Sequence, residues 1–125
     1  MAPAKPNHVK VQMRSTGQVI IQAARWCSSF GCKLLGYQFR KKLEPGEALI
    51  LVHDKDTRRG SSIHMLFVFT ELAAIWINDQ GRVTSVQLAR PWRLHYASLE
   101  PARYVLEGDP GLLDLIAVGD EIDFV

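Results

Sequence analysis

The chain has 125 residues, of which 47% are hydrophobic and 22% are charged, and its formal net charge is +2. These values predict one soluble globular domain and exclude a disordered chain, and no apolar run approaches the roughly 18–20 residues that span a bilayer. Residues 1–7 lack the apolar core of a signal peptide, so we expect a short flexible tail on a cytoplasmic protein whose single domain covers residues 8–125.

Hydrophobic periodicity predicts the first elements. Alternating apolar residues, a Ser-Thr-Gly turn and a second apolar run predict a β-hairpin over residues 8–24. Aromatic and apolar residues at three- and four-residue spacings predict a short amphipathic helix within residues 25–39. The apolar run at residues 48–52 predicts a strand buried on both faces, and a polar loop should follow over residues 53–60.

The second half of the chain continues this strand-and-turn pattern. Residues 60–78 predict two core strands joined at Thr70-Glu71, with a polar loop bringing His64 to one edge. Further predicted elements are a strand at 83–88, a strand at 104–107, a brief helix at 112–116 and a last strand at 121–125. Seven or eight short strands with little helix predict a mainly β domain, a jelly-roll-like sandwich or barrel with one or two short helices.

The charges are unevenly distributed along the chain. Residues 1–43 contain eight Lys or Arg and no Asp or Glu, whereas residues 94–125 contain seven acidic residues and one basic residue. We expect a basic N-terminal strand to lie against an acidic C-terminal strand, each shielding the other. The alternative is a basic face that binds single-stranded nucleic acid weakly.

The two cysteines, Cys27 and Cys32, have no cluster of His or Cys beside them, so we expect no metal site and no cofactor there. A disulfide is disfavoured in a reducing compartment. The sequence therefore predicts reduced, at least partly buried thiols.

Several short motifs occur in a characteristic order. They are Lys33-Leu-Leu-Gly36 with Arg40, Leu43-Glu-Pro-Gly-Glu47-Ala-Leu49, Ser62-Ile63-His64 before Phe67, Trp76-Ile-Asn78-Asp-Gln-Gly81, and Val105-Leu106-Glu107 with Gly111 and Gly119-Asp120. Together they resemble the family catalogued as domain of unknown function 192, over about residues 20–124. The resemblance implies a compact β-sandwich of jelly-roll type and no agreed activity.

The chain departs from that family at two places. Gly36-Tyr37-Gln38 stands where relatives usually carry Gly-Leu-Met, and Ala73 stands where they usually carry Asp. Any chemistry that depends on that carboxylate is therefore lost here.

Basic and aromatic residues provide the candidate binding site. The loop Arg90-Pro91-Trp92-Arg93 combines forked guanidinium donors with an aromatic ring, which suits contact with anions or bases. Its alternative role is structural, with Trp92 and Tyr96 capping the open end of the sandwich. An imidazole such as that of His64 also suits ligand contact, or a backbone hydrogen bond at a strand edge. The predicted ligand-binding residues are His64, Arg58, Lys33, Arg90 and Trp92.

The leading interpretation is a non-enzymatic binding module for a small anionic ligand or a protein partner. The alternative is a hydrolase-type enzyme that uses His64 as general base, either without a metal or with a metal held with help from Asp54 or Asp56. Phosphate-binding loops and the Gly-x-Ser-x-Gly elbow are absent from the sequence. Whether Lys33, Gly36, Glu47 and His64 meet in one site is a question for the tertiary structure.

Overall fold

The computed structural model describes residues 7–35, 43, 46–63, 65, 68–93 and 95–125. Its strands are β1 His8–Met13, β2 Val19–Cys27, β3 Ala48–Thr57, β4 Leu72–Ile77, β5 Val83–Ala89, β6 Ala102–Gly108 and β7 Ile122–Phe124. One α-helix, α1, covers Phe30–Leu35, and one 3₁₀ helix covers Pro110–Asp114. The predicted mainly β class is confirmed. No helix in the described part of the chain is long and apolar enough to cross a membrane.

The seven strands form one sheet in the order β5-β4-β6-β3-β2-β1-β7, and every pair is antiparallel except β2 with β3. The sheet curls until its two outer strands meet. There the Val83 amide donates to the Asp120 carbonyl at 2.8 Å, and the Ile122 amide donates to the Gly81 carbonyl at 2.7 Å. We call this junction, residues 81–83 and 119–123 together with Arg14, the closing seam. Because the strands of the described residues belong to one sheet, the finer prediction of a jelly-roll sandwich is not confirmed.

Apolar side chains pack on both faces of the central strands. The inner face encloses one core, to which every strand and the 3₁₀ helix contribute. The outer face of β3, β6 and β4 carries a second core, covered by residues from the chain segments between β3 and β4 and between β5 and β6. All six residues of β4 are buried, because each alternate side chain enters one of the two cores. We call the second core and its covering segments the outer layer.

The basic beginning and the acidic end of the chain meet at the closing seam. β1 pairs with β7, and Arg14, which directly follows β1, contacts the carboxylates of Glu121 and Asp123. Its Nε lies 2.9 Å from Asp123 Oδ1, and its Nη1 lies 2.9 Å from Glu121 Oε2. Its Nη2 also donates to the Gln80 carbonyl at 3.0 Å. The prediction that a basic N-terminal strand lies against an acidic C-terminal strand is confirmed.

The predicted helix over residues 25–39 begins too early. Residues 25–27 continue β2 because they pair in parallel with Leu49 to Leu51, and α1 starts only at Phe30. Residues 36–39 of the prediction lie outside the described residues. The prediction of a helix is confirmed for Phe30–Leu35, whereas strand pairing decided the first three positions of the predicted range.

The predicted polar loop at 53–60 is also partly wrong. β3 runs to Thr57, although its ladder with β6 passes directly from the pair Val52–Tyr104 to the pair Thr57–Ala102. The intervening residues bulge outward, and Arg103 Nε donates to the His53 carbonyl at 2.8 Å. Their polar composition therefore reflects exposure of an extended bulge and not the end of the strand.

Residues 60–70 differ from the predicted core strand. Among the described residues of that segment, only an isolated bridge between Ile63 and Tyr96 is strand-like. The hairpin of β1 and β2 and the predicted strands β4 to β7 are confirmed. The brief helix is a 3₁₀ helix that begins two residues earlier than predicted, at Pro110, where the Asp109 carboxylate accepts a hydrogen bond from the Gly111 amide at 2.9 Å.

The prediction of reduced thiols is wrong for this structure. Cys27 and Cys32 form a disulfide with a Cα–Cα distance of 5.5 Å. The reason is local: α1 turns the chain back on itself directly after β2, which brings two cysteines five positions apart within bonding distance. The expected redox compartment does not reveal this local geometry, and a cytoplasmic location stays a prediction.

Candidate functional site

The structure separates the predicted site residues. His64 and Gly36 lie outside the described residues, so the hydrolase alternative stays a prediction. Lys33 is half-buried, and its Nζ donates to the Val52 carbonyl at 3.0 Å. This carbonyl lies where the ladder between β3 and β6 is interrupted, so Lys33 supplies a donor that the neighbouring strand does not.

Arg58 and Arg90 have different partners. Arg58 Nε donates to the carbonyl of Ser98 at 3.4 Å, and the hydroxyl of Ser98 lies 3.2 Å from that of Ser85. Arg90 lies near Glu71, with 3.8 Å between Nη1 and Oε2. No contact among the described residues joins the two arginines.

Trp92 anchors an exposed surface with Phe69. Their ring centroids are 5.5 Å apart, and the two residues are 45% and 39% exposed. Arg90 and Arg93 on either side of Trp92 are also exposed, and the Arg93 guanidinium lies 4.7 Å from the centre of the Tyr96 ring. We call this surface, consisting of Phe69, Arg90, Trp92 and Arg93, the aromatic–basic face.

Backbone hydrogen bonds fix the position of this face. The Trp92 amide donates to the Met65 carbonyl at 2.8 Å, and the Met65 amide donates to the Arg93 carbonyl at 2.7 Å. The Arg90 amide donates to the Tyr96 hydroxyl at 2.8 Å. Met65 and Tyr96 are buried in the outer layer. Of the two residues expected to cap the sandwich, Tyr96 is thus buried and Trp92 is about half exposed.

Trp92 also has a backbone φ of +66°. This left-handed conformation costs a non-glycine residue about 1–2 kcal/mol. Two short backbone bonds to Met65 and the preceding Pro91 hold it in place. Such outliers concentrate at sites where a side chain must be presented in one direction.

Glu107 is a candidate that the sequence reading treated only as a family motif. It is 5% exposed, and its strand neighbours on the two sides are Leu49 and Ala74. Burial raises the pKa of its carboxyl group to about 7. No hydrogen bond or ion pair to this carboxyl group occurs among the described residues. The sequence feature that could have indicated burial of Glu107 is its place in the apolar stretch Tyr104 to Gly108, where it shares a strand face with Val105.

His53 shows the opposite effect of burial. Its Nε2 atom is buried and has no hydrogen-bond partner among the described residues. Burial lowers the pKa of the imidazole, and the positive charge of Lys33 lowers it further. Asp56, once considered as a metal ligand, accepts a hydrogen bond from the Asp79 amide at 2.8 Å. The described residues contain no group of three or more His, Cys, Asp or Glu suited to a metal ion.

The fold and these motifs agree with a family match. The model of domain of unknown function 192, described as an uncharacterized ACR, matches residues 9–124. The chain belongs to this family. It is 32% identical over 110 residues to a UPF0127 protein of Pyrococcus furiosus, which covers 86% of this chain and 91% of the relative. A UPF0127 protein of Thermococcus gammatolerans is 40% identical over 79 residues, and the match covers 62% of this chain and about half, 51%, of that longer relative.

Two solved structures have the same fold. A Sinorhizobium meliloti protein, provisionally described as a transcription regulator, matches with a TM-score of 0.81 and 17% identity over 99% of this chain and 97% of its own. A Novosphingobium aromaticivorans protein of unknown function matches with a TM-score of 0.78 and 22% identity over 98% of this chain and 93% of its own. At these identities the likeness concerns the fold alone.

Proposed function

We propose that this protein is a non-enzymatic binding module that recognises an acidic segment of a protein partner through the aromatic–basic face. The observation that carries the proposal is the exposed ring pair of Phe69 and Trp92, together with the exposed Arg90 and Arg93 that lie on either side of Trp92 in the sequence. Tryptophan and arginine are the residue types most enriched among those that dominate binding energy at protein interfaces.

The chemistry of the face favours a partner with carboxylates beside apolar side chains. Each ring offers apolar area with little conformational entropy to lose. Each guanidinium offers a fork of donors that matches a carboxylate. The charge on the two arginines gives the complementarity that speeds encounter with an acidic segment.

The existing ion pair between Arg90 and Glu71 does not prevent Arg90 from binding a carboxylate of the partner. Its 3.8 Å contact with Glu71 is long, and the two side chains are 72% and 46% exposed. Exposed pairs of this kind contribute little to stability. Arg90 can therefore release Glu71 and bind a carboxylate of the partner with little loss of stability.

This proposal keeps Arg90 and Trp92 from the predicted site and leaves Arg58 and Lys33 out of it. A small anionic ligand at the same face is an outcome that the test distinguishes. So is single-stranded nucleic acid, which also uses aromatic rings and arginines. The Sinorhizobium meliloti protein's provisional description as a transcription regulator makes that comparison worth including.

The test is a binding titration with a fluorescent acidic peptide in which Glu alternates with Leu, followed by anisotropy. We expect Trp92→Ala and the double variant Arg90→Gln with Arg93→Gln each to weaken binding about tenfold or more. Val118→Ala is the matched control, because Val118 is 60% exposed and lies outside the face. It should bind as the parent protein does.

Two results would overturn the proposal. The first is an affinity for the peptide that neither Trp92→Ala nor the double arginine variant changes. The second is tighter binding of a single-stranded oligonucleotide of similar length, with an affinity that falls steeply as salt rises, because nucleic-acid contacts release counterions. Citrate competing as well as the peptide would reassign the face to small anions.

A further inference from the structure

A cavity of about 430 Å³ lies at one end of the β1–β2 hairpin, away from the aromatic–basic face. Its lining residues are Asn7, His8, Arg25, Trp26, Ser28, Ser29 and Cys32. We call it the Arg25 cavity. Its volume falls within the range of about 300–1,000 Å³ that is usual for small-molecule sites.

The hairpin brings two basic side chains to one wall of this cavity. His8 and Arg25 are directly opposite in the antiparallel pairing of β1 and β2, so their side chains lie on the same face of the sheet. On its other side Arg25 pairs with Leu49 of β3. Neither cross-strand neighbour of Arg25 is acidic, so the guanidinium is not neutralised by the sheet.

The segment after β2 supplies hydroxyl groups. Ser29 Oγ accepts a hydrogen bond from the Cys32 amide at 3.1 Å, and its hydroxyl keeps one proton that it can donate. The Lys33 amide donates to the Ser29 carbonyl at 3.0 Å and so fixes the same residue from its backbone. Ser28 provides a second hydroxyl on the same wall.

The disulfide holds this wall in place. Cys27 is part of β2 and pairs with Leu51, and its bond to Cys32 closes the short loop that contains Ser28 and Ser29. The donors are therefore positioned before a ligand arrives, which reduces the entropy that binding costs.

None of the described lining residues is acidic, and residues 1–43 contain no Asp or Glu. A guanidinium, an imidazole and two hydroxyls that line one volume suit a tetrahedral oxyanion with several acceptor atoms. We infer that the Arg25 cavity binds the phosphate group of a small phosphate monoester. The remaining volume accommodates the organic part of that molecule.

The experiment follows backbone amide signals of isotope-labelled protein by NMR during titration with inorganic phosphate and with glycerol phosphate. Ionic strength is kept constant with chloride, and acetate serves as a carboxylate probe. We expect the amide signals of Ser28 and Ser29 to shift most. Glycerol phosphate should bind more tightly than inorganic phosphate, and acetate should bind most weakly.

Variants assign the effect to this cavity. We expect Arg25→Gln to weaken glycerol phosphate binding at least tenfold, and the double variant Ser28→Ala with Ser29→Ala to weaken it about threefold. Lys55→Gln removes an exposed basic residue from the bulge of β3 and should leave the affinity unchanged. Trp92→Ala should also leave it unchanged, which separates this site from the aromatic–basic face.

The inference would be overturned if Arg25→Gln bound glycerol phosphate like the parent protein while retaining its thermal unfolding midpoint. Equal losses for Arg25→Gln and Lys55→Gln would also overturn it, because they would indicate general attraction of anions to a basic surface. A response to acetate equal to that for glycerol phosphate would contradict the phosphate assignment.

Discussion

The ionisable side chains of Arg14 and Glu107 belong to one curled sheet but have opposite environments. Arg14 is largely exposed at the closing seam, yet it contacts Asp123, Glu121 and the backbone of Gln80. Hydrogen bonding to Asp123 is the main cause that raises the pKa of Arg14. Glu107 is buried in the outer layer, and the described residues place only apolar strand neighbours on either side of it.

The difference teaches that exposure alone does not indicate which charge supports the fold. The exposed arginine joins the first and last strands, whereas the buried carboxyl group carries a desolvation cost that no partner among the described residues offsets. A buried group with a pKa near 7 is also the kind of group that functional sites contain. Breaking the closing seam and relieving the buried carboxyl group should therefore have opposite effects on stability.

The largest expected effect comes from Gly81→Ala at the closing seam. Gly81 has a φ of +87°, and an added Cβ would lie 2.6 Å from the Ile122 carbonyl and against the Arg14 guanidinium. Strain of about 1–2 kcal/mol plus the loss of two seam hydrogen bonds at about 1 kcal/mol each should lower the free energy of unfolding by about 3–4 kcal/mol. Urea denaturation measures this value.

Gly17→Ala is the matched control for that variant. Gly17 also has a positive φ, +73°, but an added Cβ would meet no atom within 4 Å. We expect a loss of only about 1 kcal/mol, from the backbone alone. Equal losses at the two glycines would show that crowding at the seam contributes nothing.

The next effect is a gain in stability from Glu107→Gln above neutral pH. The folded-state pKa of about 7 exceeds the unfolded value of 4.5, so the folded protein retains a proton that the unfolded chain releases between these pH values. Stability from this group is complete below pH 4.5 and is lost as pH rises to about 7. The variant should therefore match the parent protein near pH 4.5 and exceed it by up to about 3 kcal/mol at pH 8.

Urea denaturation of both proteins across this pH range tests the expectation. The difference in unfolding free energy between the two proteins removes the contribution of His53, which both contain. The pKa of His53 is shifted in the opposite direction, so its contribution to stability falls as pH drops below about 6.5. Glu100→Gln at an exposed position is the control and should keep the parent's pH dependence. A pH-independent difference between Glu107→Gln and the parent would contradict the assignment.

The smallest effect is expected for Arg14→Gln. It removes both ion pairs of the seam while leaving the strand hydrogen bonds of β1 and β7 in place. The unfolding midpoint should fall, and the fall should shrink in high salt, because exposed ion pairs are screened. Arg25→Gln, whose guanidinium has no acidic cross-strand neighbour, is the comparison and should unfold like the parent. A larger loss for Arg25→Gln than for Arg14→Gln would invert the roles assigned to the two arginines.

Much of the fold could be predicted from local pattern. Alternation identified the hairpin of β1 and β2, and the continuous apolar run at residues 48–52 indicated burial on both faces. The extension of β2 to Cys27 could not be predicted, because it depends on parallel pairing with β3 about twenty residues later. The polar bulge after Val52 was mistaken for a loop for a similar reason.

The candidate site was less predictable. Trp92 and Arg90 were identified from composition, and both are exposed, with Trp92 against the Phe69 ring and Arg90 near Glu71. Arg58 was grouped with them because both segments flank the central strands, but the chain brings it to Ser98 instead. Sequence composition indicates which side chains can bind an anion, whereas distance between segments depends on the sheet.

The sequence by itself determined the mainly β class, the family, and the presence of a basic beginning and an acidic end, because these depend on residue type and local order. Tertiary structure alone decided that the sheet curls until its outer strands meet, that Cys27 and Cys32 bond, and that Glu107 is buried without a described partner. Each of these depends on contacts between distant strands or on the direction of a turn. Such contacts are fixed by packing of the whole domain, and no local pattern specifies them.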